Sequence, residues 1–148
     1  MKNQKGFTLI ELLVVIGILA ILFSIVLIAI NPARQFNQAN DTKRRSDTLQ
    51  ILNSIHQYVA EHSGNLPAPL TASYTTKDVS DTTGDADLCG LLMPTYISAF
   101  PQDPSSNNGA PITTCTGYNT GYQVAVDAAG RVTVSAAHAA LGTIAVTR

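Results

Sequence analysis

Lys5-Gly6-Phe7-Thr8-Leu9-Ile10-Glu11-Leu12-Leu13-Val14-Val15-Ile16 opens an apolar run that continues to Ile30, and the reading of this run decides the fold. Between Phe7 and Ile30 the only charged side chain is Glu11; the other nine acids and all nine bases of the chain lie outside. From Leu12 to Ile30 only Gly17 and Ser24 interrupt the hydrocarbon. These nineteen residues, at a helical rise of ~1.5 Å each, give a rod of roughly 28 Å, close to the hydrocarbon thickness of a bilayer. A core helix of a soluble protein keeps a polar stripe, and this one has none. The run therefore reads as a membrane-spanning helix.

Its flanks say which way it lies and how it is made. Lys2 and Lys5 precede it without an acid beside them, which favours a cytoplasmic N-terminus. Arg34, Lys43, Arg44 and Arg45 follow it and compete for the same side. A secretory signal peptide has a shorter apolar stretch followed by a small-residue cleavage site. Here the stretch is too long, and it leads into Asn31-Pro32-Ala33-Arg34-Gln35; the small residue, Gly6, stands in front. A cut there would remove the lysines and keep the helix. Glu11 is the second anomaly, because a carboxylate in a bilayer costs about 2.5–3.5 kcal/mol at the centre and less near the edge. Either it rests at the headgroup level or it has a partner. A chain cut after Gly6 begins with the free ammonium of Phe7, and the Glu11 carboxylate of a neighbouring copy could pair with it. Two charges that are expensive alone would neutralise each other, and the pairing would set subunit register.

These positions resemble the class III leader and cleavage site of type IV prepilins and type II secretion pseudopilins. The resemblance implies that a prepilin peptidase cuts between Gly6 and Phe7 and N-methylates Phe7. It also implies that Glu11 is the register glutamate of the assembled filament and that the mature chain is 7–148.

Beyond the run, Pro32 kinks the helix or starts a new one, with Asn31 as a candidate cap. Residues 33–62 hold good helix formers, and Phe36, Ala39, Leu49, Leu52, Ile55, His56 and Val59 recur at three- and four-residue spacing. That face is expected to pack on a small domain. Arg34, Asp41, Lys43, Arg44, Arg45 and Asp47 are expected on opposite or flanking faces, with Lys43-Arg44-Arg45 solvated. Gly64-Asn65-Leu66-Pro67 ends the helix. A helix over 7–62 would be roughly 80 Å long, a shape that resembles the lollipop of the pilin fold.

The C-terminal part reads as loop, then sheet. Residues 67–90 are rich in Thr, Ser, Asp and Pro and read as an irregular connection. Asp78, Asp81, Asp85 and Asp87 fall close together but lack EF-hand spacing, so a solvated loop is expected rather than a calcium site. Residues 91–97 followed by Phe100-Pro101-Gln102-Asp103-Pro104 resemble the segment that leads from the variable loop of pilin-like proteins into their sheet. Some major pseudopilins bind calcium there, which makes Asp103 the one calcium candidate. Residues 121–127 and 131–135 alternate at period two around Ala128-Ala129-Gly130, a hairpin signal. Residues 143–147 add a third strand. Cys89 and Cys115, both outside the membrane, either stay free thiols or form a disulfide. Such a bond would close a loop of about 26 residues and contribute roughly 3 kcal/mol. His56, His62 and His138 are scattered and form no zinc motif.

The expected fold is α+β and pilin-like: one long N-terminal helix, membrane-spanning in its first half and packed by its second half on a small antiparallel sheet. The expected organisation is a leader over 1–6, a transmembrane and filament-core helix over 7–30, an extramembrane amphipathic half over 31–63 and a small globular domain over 64–148. The function implied by the resemblance is a structural subunit, major or minor, of a type IV pilus or type II secretion pseudopilus. The alternative is a single-pass anchored binding protein or a minor-pilin adhesin. No phosphate loop, nucleophile elbow or paired metal motif is present in the sequence, so no enzyme is expected. No cofactor is expected apart from the calcium candidate. The partners implied are further copies or other pilins, the prepilin peptidase, an assembly platform protein, indirectly an assembly ATPase, and membrane lipid. A net charge of −1 gives no sign of nucleic-acid binding. The expected location is the bacterial inner membrane with the N-terminus cytoplasmic, then an extracytoplasmic filament.

Overall fold

The computed structural model describes residues 6–148; positions 1–5 of the expected leader, with Lys2 and Lys5, lie outside the described residues. The chain divides into two units, one ending at Phe36 and the other running Asn37–Arg148.

The first unit is built on α1, Leu9–Ile30, and no residue of α1 is buried within the chain. It is long and apolar enough to cross a membrane. It stops at Asn31, which turns left-handed at φ 47° and ψ 81°, a conformation asparagine tolerates better than most residues. Pro32 then opens α2, Pro32–Glu61. Proline suits a first helical position because its missing N–H has no partner there. The Asn31 carbonyl accepts from the Arg34 N–H at 3.1 Å, and the Asn31 Oδ1 accepts from the same N–H at 3.3 Å. The proline thus starts a new helix, and the single rod expected over 7–62 is two helices.

The second unit holds an antiparallel sheet of β1 (Lys77–Ser80), β2 (Asn119–Val126), β3 (Val132–Ala136) and β4 (Ile144–Thr147), in that order. The hairpin expected from the alternating pattern is β2–β3, in register from Tyr122 opposite Ala136 to Val126 opposite Val132. Its turn is closed by Asp127, whose Oδ1 accepts the N–H groups of Ala129 and Arg131, while Gly130 supplies φ +79°. β4 is the expected third strand. β1 and the first two residues of the short helix α3, Cys89–Leu92, fall within 67–90, the stretch expected to be irregular. β1 has only Val79 as an apolar residue, and it becomes a strand because β2 supplies its hydrogen bonds.

One face of the sheet is apolar. Tyr122, Val124, Val126, Val132 and Val134 alternate inward and share a core with Ile51, Leu52 and Ile55 of α2 and with Leu88, Leu92 and Phe100. The face α2 presents to that core differs from the one expected. Leu52 and Ile55 are buried, but Phe36 is 71% exposed, Leu49 is 39% exposed and Ala39 is exposed. The buried positions are Asp41, Arg44, Asp47, Thr48, Ile51, Leu52, Ser54 and Ile55. Apolar spacing alone missed this face because its N-terminal half is charged.

Candidate functional site

In the N-terminal unit Gly6 and Phe7 precede the helix, outside any regular structure, and Phe7 is almost fully exposed. The bond between them is accessible backbone. Thr8 is the extended N-cap (φ −80°, ψ 153°) and forms a reciprocal capping box with Glu11. The Glu11 Oε2 accepts from the Thr8 N–H and from the Thr8 hydroxyl, both at 2.8 Å, and the Thr8 Oγ1 accepts from the Glu11 N–H at 3.3 Å. Two of the orphan donors of a helix start are met in this way. The carboxylate also lies at the positive end of the helix dipole. Its Oε1 has no hydrogen bond among the described residues, so it is left to accept from a further donor.

Around this one charge the surface is hydrocarbon: Phe7, Ile10, Leu12, Val14 and Val15 flank Glu11. Further along α1 the Ser24 hydroxyl donates to the Ala20 carbonyl at 2.9 Å, so it carries no unmet donor. A helix that satisfies its own backbone and hydroxyl groups is the form of chain a bilayer accepts.

The C-terminal unit is organised by a buried charge cluster that the sequence did not reveal. The expectation places Arg44, Asp41 and Asp47 on faces opposite or flanking the packing face, with Arg44 solvated, yet they are only 3%, 2% and 6% exposed. The Arg44 Nε donates to Asp103 Oδ2 at 2.7 Å, its Nη2 to Asp103 Oδ1 at 2.9 Å, and its Nη1 to Asp41 Oδ1 at 2.9 Å. Asp41 also accepts the N–H groups of Ala140 and Leu141 at 3.0 and 2.8 Å. Asp47 accepts the Tyr122 hydroxyl at 2.7 Å. Burial alone would push the Asp103 carboxyl up, but hydrogen bonds from Arg44 and Ser105 outweigh it and hold it at about 2. Asp41 is likewise lowered, its burial overcome by the Ala140 and Leu141 amides and by Arg44. Burial and the neighbouring Asp47 raise the Tyr122 hydroxyl well above its ordinary value. Arg44 thus ties α2 to the segment near 103, and Asp41, held by Arg44, ties it to the segment near 140. Each charge is tolerable inside because it is paired and hydrogen-bonded.

Of the Lys43-Arg44-Arg45 run, only Arg45 is fully exposed; Lys43 is half-buried. Asp103, the calcium candidate, has both oxygens on Arg44, with Oδ1 also accepting from Ser105. The four acids between 78 and 87, the first of them in β1, anchor chain segments. Asp78 accepts from Gln123, Asp81 from the Gly117 N–H, Asp85 from Ser80 and Asp87 from the Tyr118 hydroxyl. Cys89 and Cys115 are joined in a disulfide, Cα to Cα 5.4 Å. It links the start of α3 to the segment that leads into β2. His56, expected on the packing face, is half-buried; its Nε2 is buried without a partner, and burial and Arg148 lower its proton affinity.

Comparison with known proteins finds two likenesses. Residues 1–27 match the prokaryotic N-terminal methylation motif. The chain is 35% identical over 109 residues to prepilin peptidase-dependent protein D of Escherichia coli (strain K12), covering 63% of this chain and 72% of that protein. No solved structure matches.

Proposed function

We propose, from the premise that the chain belongs to the type IV prepilin and pseudopilin family, that it is a structural subunit of a pilus-like or pseudopilus-like filament and not an enzyme. Prepilin peptidase cuts the exposed bond between Gly6 and Phe7 and methylates the new Phe7 amine. The Glu11 carboxylate, with Oε1 still open, takes the Phe7 ammonium of the neighbouring copy. The pairing neutralises both charges among the apolar helices and fixes their stagger. A platform protein and its ATPase would lift subunits from the inner membrane, where the N-terminus is cytoplasmic and the second unit lies outside. The disulfide supports that orientation, because such bonds persist in oxidising compartments.

The observation that carries this reading is that none of the 22 residues of α1 is buried in its own chain, while the only charge in that surface stands at the first turn. Such a surface needs a bilayer first and other helices later. Intact mass and N-terminal sequencing of protein from native-host membranes test the processing. A chain beginning at methylated Phe7 supports it. A chain beginning at Met1 beside an active peptidase refutes it. Glu11→Ala tests assembly: the processed subunit should accumulate in the membrane and be missing from sheared filaments. Its normal incorporation would sink the pairing.

One feature favours the alternative of an anchored binding protein or adhesin: a polar cleft on the sheet's outer side, lined by Asp78, Ser106, Asn119, Gln123 and His138. Copy number in sheared filaments decides, since an adhesin is rare and a body subunit abundant.

A further inference from the structure

Family resemblance puts a calcium ion near residues 100–104, and the residues present do not fit one. The loop over 101–110 curls round a cation the chain already supplies. The Lys43 Nζ donates to the carbonyls of Gln102 at 3.1 Å and Gly109 at 2.9 Å, and it stands 3.7 Å from Asp47 Oδ2. Asn107, Asn108 and Gly109 are successive left-handed residues, at φ 45°, 53° and 66°. The turn they make is closed by the Gly109 N–H on the Ser106 carbonyl and the Ala110 N–H on the Asn107 carbonyl. Gly109 is favoured by its φ, and a Cβ there would meet the Lys43 Nζ, which would have to shift, and would press on the Gln102 carbonyl and the Pro104 Cα at 3.3 Å. The nearest carboxylate of the loop, Asp103, is taken by the guanidinium of Arg44. A divalent ion among these oxygens would face two side-chain cations and find the carboxylate occupied.

We propose that the Lys43 ammonium is the resident cation of this loop, and that the loop closes on it without metal. Three features converge on that assignment: two backbone carbonyls aimed at one nitrogen, a glycine whose missing side chain makes the room, and a carboxylate already neutralised from within. The inference concerns the second unit alone and does not depend on filament assembly.

Hydrogen exchange of the Ser106, Gly109 and Ala110 amides, in the full chain in detergent micelles, tests it. In the unaltered protein those rates should be the same with millimolar calcium chloride as with a calcium chelator. Lys43→Met removes both charge-assisted hydrogen bonds and should speed them at least about tenfold, which the loss of one alone would give, while amides of β2 and β3 stay protected. Gly109→Ala, whose Cβ would meet the Lys43 Nζ at a positive φ that strains any L side chain, should speed the same amides. Slower exchange of these amides in calcium, or faster exchange in chelator, would overturn the proposal in the unaltered protein, whether or not either variant folds. Unchanged loop rates in a folded Lys43→Met protein would overturn it equally.

Discussion

α1 and α2 are opposite constructions. α1 carries its hydrocarbon outward on every side, and its one charge, Glu11, is exposed and capped by Thr8. α2 turns Asp41, Arg44 and Asp47 inward and leaves outside a mixed polar face that includes Arg34, Thr42, Arg45, Gln50, Asn53 and Glu61. The difference shows what sets burial in each. The apolar surface of α1 is exposed among the described residues, with the length and composition of a helix able to cross a membrane. The charges of α2 have counter-charges and donors in the same unit, and their burial follows from those partners rather than from their own polarity.

The largest test of that contrast removes the central cation. Arg44→Met leaves Asp41 and Asp103 buried without it and should cost about 3–5 kcal/mol, read as a lower unfolding midpoint of the second unit in detergent. A loss under about 1 kcal/mol, the range of exposed pairs, would mean that the cluster is solvated in solution. Next comes a matched pair of truncations. Leu52→Ala, in the core, should destabilise that unit by about 2–5 kcal/mol. Leu22→Ala, on the open surface of α1, should leave its midpoint unchanged. An equal loss in both would show that α1 packs on its own chain.

Acid sharpens the comparison further. Asp103 and Asp41 have lower proton affinity folded than unfolded, so their contribution is complete above the unfolded value of about 4 and is lost as the pH falls toward 2. For Asp103, held at about 2, this is on the order of 2 kcal/mol. Unfolding midpoints measured down that range should fall steeply, and a flat profile would contradict the ion pairing. The smallest effect belongs to the cap: Thr8→Val should cost about 1 kcal/mol. It should appear as faster exchange of the Glu11 amide, with the second unit untouched.

The sequence made some of this legible and hid the rest. The apolar run of α1 and the hairpin over β2 and β3 are local periodicities, readable from a few consecutive residues. Gly6, Phe7 and Glu11 fall within residues 1–27, which match the prokaryotic N-terminal methylation motif, and it is the resemblance that singles them out. β1 was hidden because Lys77-Asp78-Val79-Ser80 has no strand pattern of its own. The packing face of α2 was misjudged for the same kind of reason. Phe36 and Leu49 look like core residues and are exposed, while Arg44 looks solvated and is buried against an aspartate 59 positions later.

The sequence by itself thus determined that one helix is long and apolar enough to cross a membrane, and that a single carboxylate, Glu11, stands at its start. Hydrophobic period and length are properties of neighbouring residues, so they survive without a fold. Only the tertiary structure decided that Arg44 is an internal cation, that the half-buried Lys43 reaches the carbonyls of Gln102 and Gly109, that Asp103 answers to Arg44, and which face of α2 is covered. A charge is buried or solvated according to the partners brought to it from distant positions, and no local pattern records them.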